Sequence, residues 1–178
     1  FRGFSGKIVD GIVKLGERIR ILPGGNLSKV DKIFVADREV EQAKTGESIT
    51  LTFKDEVDCS RGQIITKANA PIEVADQFES KIIWMDEEEL VPGRSYYLKI
   101  GTQTVSATVS NPKYQINVNT MEHMACKTLT LNTIGVANIT IDRSIAFTPY
   151  ENNRELGGFI LIDKISNSTA AAGLINFA

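Results

Sequence analysis

Short runs of branched and aromatic residues, separated about every ten residues by glycine- or proline-bearing turns, commit this chain to β structure. Residues 19–22, 32–35, 48–53 and 64–66 form such runs, as do 96–100, 104–109, 137–141 and 159–162. Thr104–Val109 and Val136–Ile141 alternate apolar with polar, the period that places one strand face on a core and the other in water. Pro23-Gly24-Gly25-Asn26, Lys44-Thr45-Gly46, Arg61-Gly62, Val91-Pro92-Gly93 and Ile100-Gly101-Thr102 carry the turn chemistry between them. Helix signals are confined to single turns: Asn119–Glu122, with Asn119 as the capping residue, and Tyr150–Glu155. The pattern predicts an all-β fold, built as small antiparallel barrels or sandwiches.

Lys67-Ala68-Asn69-Ala70-Pro71 lacks bulky apolar residues and ends in a proline, which marks a domain boundary. It divides the 178 residues into a first domain over 1–68 and a second over 72–178. Twenty Lys and Arg against 22 Asp and Glu give a net charge of -2. That balance runs against nucleic-acid binding, whose affinity rests largely on phosphate neutralisation. No apolar run approaches the roughly 20 residues that span a bilayer. Cys59 and Cys126 fit neither a metal spacing nor a disulfide framework and read as buried, reduced thiols. The start at Phe1, without Met, reads as a piece of a longer protein.

Specific strings sharpen this reading. Gly6-Lys7-Ile8-Val9-Asp10-Gly11-Ile12-Val13-Lys14-Leu15-Gly16-Glu17 resembles the second domain of translational GTPases of the elongation factor Tu type. Asp58–Ile65 resembles the segment that closes the same barrel. After Pro71 the resemblance narrows to one family, the GTPase subunits of bacterial ATP sulfurylases (sulfate adenylyltransferases). It is carried by Val74–Glu79, Ile83-Trp84-Met85, Asn119–His123, Leu131–Gly135, Ile145–Tyr150 and Asn152–Asp163. That family commonly has Glu where this chain has Thr133, and Gly-Ala-Gly where it has Ala171-Ala172-Gly173.

The resemblance implies two consecutive antiparallel β-barrels of the domain II and domain III type, with a GTP-binding domain upstream that holds GTP and Mg. It implies a cytoplasmic parent enzyme that makes adenosine 5′-phosphosulfate and pyrophosphate from ATP and sulfate, driven by GTP hydrolysis. It also implies two partners, the small catalytic subunit and the GTP domain of the same chain, with no nucleic acid and no membrane. The residues themselves leave two other readings open: tRNA-binding barrels of a translation factor, and a stand-alone interaction module.

No cofactor, metal or catalytic site is expected within these residues. A phosphate loop needs Gly-x-x-x-x-Gly-Lys-Ser/Thr, whereas the only Gly-Lys, Gly6-Lys7, is followed by Ile8. Ser28-Lys29-Val30-Asp31 misses the guanine-recognition pattern and leads into a strand. His123, the sole histidine, has no nameable partner for acid–base work and reads as a loop residue. Asp86–Glu89 reads as a solvated loop, and Phe78 and Trp84 as core. Arg61, Arg143, Glu151, Asn152 and Arg154 are the candidate interface residues, because guanidinium pairs well with carboxylate or phosphate and polar loops carry contacts.

Overall fold

A computed structural model describes residues 1–177. The chain divides into two compact units, Phe1–Ile72 and the remainder from Glu73.

In the first unit, β1 (Phe4–Lys7), β3 (Arg18–Leu22), β4 (Asn26–Val35), β7 (Ser48–Phe53) and β8 (Ile64–Lys67) form an antiparallel sheet in the order β1-β7-β4-β3-β8. β5 (Arg38–Val40) pairs β4, and β2 (Ile12–Lys14) pairs β6 (Gln42–Lys44). The sheet curls around a core of Ile19, Ile21, Val30, Ile33, Ala43, Ile49 and Leu51. Ser28-Lys29-Val30-Asp31 lies within β4, where Ser28 and Lys29 pair β3, Val30 pairs β7 and the register shifts at Asp31.

A turn device recurs in this unit. At Lys14–Glu17, Lys44–Glu47 and Ser60–Gln63 the third residue is glycine, with φ of +75°, +94° and +95°. The fourth residue's side chain accepts the first residue's amide: Glu17 Oε2 at 3.1 Å, Glu47 Oε2 at 2.6 Å and Gln63 Oε1 at 2.6 Å. Glycine supplies the left-handed conformation and the carboxylate or amide oxygen satisfies a donor that the turn would orphan.

The second unit is a closed barrel. β9 (Glu73–Trp84), β10 (Ser95–Ile100), β11 (Gln103–Val109), β14 (Ile134–Phe147), β15 (Gly158–Asp163) and β16 (Thr169–Phe177) run antiparallel in the order β11-β10-β15-β16-β9-β14, and β14 returns to β11. Closure removes the edges that an open sheet would leave unpaired. Phe78, Ile82 and Trp84 on β9 point inward with Leu98, Ile139, Phe147, Phe159 and Leu161. Trp84 meets Tyr96 edge-on at 5.8 Å, and its indole N–H donates to the Glu88 carbonyl at 2.8 Å. β12 (Tyr114–Ile116) continues along the edge of β14, with Ile116 opposite Ile134, and β13 (His123–Met124) folds back onto β12. This hairpin lies outside the ring of six. The helix α1 (Arg154–Gly157) is a single turn.

Two single-turn expectations need correction. Asn119–Glu122 is a hairpin tip with no helix, and its capping oxygen belongs to Asn117, which accepts the amides of Asn119 (2.9 Å) and Thr120 (3.3 Å). Near Tyr150 the helical turn starts later, at Arg154. Asn153 caps it by accepting the amides of Glu155 (2.9 Å) and Leu156 (3.1 Å).

Candidate interaction surfaces

Glu151, Asn152 and Arg154 come together on one exposed corner between β14 and β15. Backbone hydrogen bonds tie the corner down. The amides of Asn152 and Asn153 donate to Pro149 O at 3.0 and 3.2 Å, and Tyr150 N donates to Ile175 O at 2.9 Å. Gly157 fits beneath Tyr150, where a Cβ would lie 2.5 Å from the Tyr150 N and Cα atoms. Arg143 stands in the irregular stretch of β14 between Thr140 and Ile145, exposed, and donates to Thr104 O at 2.9 Å. Arg61 is exposed in the Ser60–Gln63 turn of the other unit.

The groups with chemical potential are otherwise occupied or poorly placed. His123 is an exposed β13 residue, not a loop residue, and stacks on Tyr114 at 3.8 Å with the rings 9° apart. Both cysteines are free and only partly buried, a correction to the fully buried reading. Burial pushes both thiols up from their ordinary value, the reverse of what a nucleophile needs. Among the described residues no cluster of three or more His, Cys, Asp or Glu is placed to hold a metal ion. No helix among the described residues is long and apolar enough to cross a membrane. Asp163 accepts the amides of Ser166 (2.9 Å) and Ile165 (2.8 Å) and faces Arg94 at 2.7 Å. Those amide bonds, with help from Arg94, hold its carboxyl below the usual range.

A further exposed surface takes in two segments singled out in the sequence, Asn119–His123 and Asp86–Glu89. The segments that leave β9, enter β14 and join β12 to β13 each carry exposed apolar side chains. Met85 follows β9, and Leu131 lies beside it because Asn132 N donates to Trp84 O at 2.9 Å. Val118 and Met121, 61% and 66% exposed, occupy the tip of the β12–β13 hairpin. The acidic loop Asp86–Glu89 leaves β9 at the same end and, as expected, is largely in solvent.

Two small antiparallel β-barrel units in series define an all-β body of the kind that translational GTPases carry. The chain belongs to the GTP-eEF1A C-terminal domain-like family, whose model matches residues 77–176. It is similar over nearly all its length to the bifunctional enzyme CysN/CysC of Xylella fastidiosa, at 44% identity across 99% of the chain and 28% of that protein. It is 43% identical to sulfate adenylyltransferase subunit 1 of Pseudoalteromonas atlantica, across 98% of the chain and 37% of that protein. The chain therefore spans roughly a third of the curated relatives it matches. Among solved structures, Sup35 complexed with GMPPNP superposes with a TM-score of 0.89 over 98% of the chain and 43% of that chain, at 19% identity. The elongation factor SelB from Methanococcus maripaludis gives 0.77 over 98% and 39%, at 22% identity. These two likenesses establish the fold.

Proposed function

We propose that this chain is the two-barrel region of a sulfate adenylyltransferase GTPase subunit, a body that docks rather than catalyses. The supporting observation is 43% identity over 98% of the chain to a sulfate adenylyltransferase subunit 1 and 44% over 99% to a bifunctional CysN/CysC, against 19–22% to Sup35 and SelB. On this reading residues 1–68 form the domain II-like barrel and residues 72–178 the domain III-like barrel. A GTP-binding domain elsewhere in the subunit holds GTP and Mg. The parent enzyme is cytoplasmic and couples GTP hydrolysis to adenylyl transfer from ATP to sulfate. The barrels dock against the GTP domain in a nucleotide-dependent way and hold the small catalytic subunit, so that the GTP state is transmitted as a change in relative position.

The test uses the complete large subunit with its small partner. Deleting the barrels should abolish GTP-stimulated formation of adenosine 5′-phosphosulfate, and the isolated 178-residue chain should hydrolyse no GTP. Stimulation that persists without the barrels would overturn the reading.

A further inference from the structure

Left-handed backbone conformation is cheap for glycine and tolerable for asparagine, but strained for a side chain such as methionine. This chain mostly obeys that rule. Gly11, Gly16, Gly25, Gly46, Gly62, Gly93 and Gly101 have positive φ, as do Asn132 and Asn167. Ala36, at φ +53°, and Met121, at φ +61°, depart from it, and of the two only Met121, at the tip of the β12–β13 hairpin, carries a large apolar side chain. The side chain gains no burial in return, because Met121 and its neighbour Val118 are 66% and 61% exposed. Local rules broken without a folding benefit mark functional positions. Here the tip holds two apolar side chains out in water on a turn fixed by Asn117.

The surroundings say what could cover them. Met124 on β13, Leu131 before β14 and Met85 after β9 are exposed apolar side chains on the neighbouring segments. The segments 85–91 and 117–131 that carry them contain Asp86, Glu87, Glu88, Glu89 and Glu122 against Lys127 as their one cation. Arg94, just beyond, is engaged by Asp163 at 2.7 Å. Two copies of such a face would repel, and a phosphate backbone or anionic membrane would be repelled as well. A protein surface with an apolar pocket bordered by lysines and arginines complements it.

We propose that the hairpin tip is the anchor of a docking face for a basic-rimmed protein partner. Resting on the functional reading above, that partner is the adenylyl-transferring subunit. Val118 and Met121 enter its apolar pocket, and the carboxylates of Asp86–Glu89 steer its approach.

The experiment measures binding of the second subunit to the complete GTPase subunit by biolayer interferometry at low and high salt. Val118→Asp/Met121→Asp should weaken binding by about 100-fold, the scale of a lost anchor pair. Met121→Asn should weaken it about tenfold while leaving the melting midpoint unchanged or higher, since asparagine accepts the left-handed conformation. Glu87→Lys/Glu89→Lys should slow association about tenfold at low salt and little at high salt. Leu27→Asp, an exposed leucine in the first unit, should bind as the parent does. Parent-like binding by the tip variants overturns the docking face and leaves the functional reading standing. A parent subunit that never binds the second subunit overturns both. Self-association that disappears with Met121→Asn, or an equal loss from Leu27→Asp, also overturns the proposal.

Discussion

Gly173 lies directly opposite Phe159 in the β15–β16 ladder, and the phenyl ring lies over it. A methyl group at this position would overlap Cζ and Cε2 of Phe159 and stand 2.6 Å from Cε1. Carbon atoms pack at about 3.5–4.0 Å, so the ring must withdraw by roughly 1.5–2 Å. It has little room, being buried and packed at 6.0 Å against Phe78, which in turn packs at 5.3 Å against Phe147. Overpacking of this kind costs about 1–3 kcal/mol, while stiffening the unfolded chain returns about 0.4–1 kcal/mol. The net for Gly173→Ala is a loss of about 1–2 kcal/mol, or about 5–10 °C in the melting midpoint of a unit this size. Trp84 is the sole tryptophan and sits in the same core, so its fluorescence during thermal or urea unfolding reports this unit. Phe159→Leu should absorb the added methyl, giving a coupling of about 1–2 kcal/mol in the double-mutant cycle. A Gly173→Ala midpoint within about 2 °C of the parent, or strict additivity in the cycle, would refute the argument.

Thr133 rebuilds the recurrent turn device with a shorter side chain: its Oγ1 accepts Thr130 N at 3.0 Å, and Asn132 takes the glycine's place at φ +63°. Thr133→Val should therefore cost about 1 kcal/mol in urea unfolding, whereas Thr133→Glu should stay within about 0.5 kcal/mol, its carboxylate reaching the same amide. Asp163 has a folded pKa below its unfolded value, so its stabilisation is present above about pH 4 and fades as pH falls through the lower folded value. Asp163→Asn should accordingly lower the urea midpoint at pH 7 and converge with the parent in acid; a constant gap down to pH 3 would contradict the assigned cause.

The sequence exposed those elements whose physics is local. Thr104–Val109 falls inside β11, and Val136–Ile141 inside β14, because alternation alone separates an inward Val105 or Ile139 from an outward Ser106 or Asn138. The full length of β14 was hidden by Asp142-Arg143-Ser144, an exposed interruption where the ladder to β9 shifts register. β2 and β6 escaped notice because three-residue strands with exposed ends show no period. Closure of the second barrel depends on Ala107–Val109 meeting Ile139–Ile141, a pairing written in no local pattern. The polar corner was legible as a loop over Glu151–Asn153, since Asn and Pro cluster there, while Arg154 opens α1.

The Met121 tip was not legible, and the reason separates folding information from functional information. Asn119-Thr120-Met121-Glu122 carries plausible capping chemistry, and a methionine in such a string reads as buried by default. Only its backbone conformation and exposure, taken together, show that the turn works against the preference of its own residue. In the Gly16, Gly46 and Gly62 turns, residue type and conformation agree, so sequence reveals structure and nothing remains to explain. At Met121 they disagree, and that residual points outward, to a surface whose stabilisation comes from another molecule.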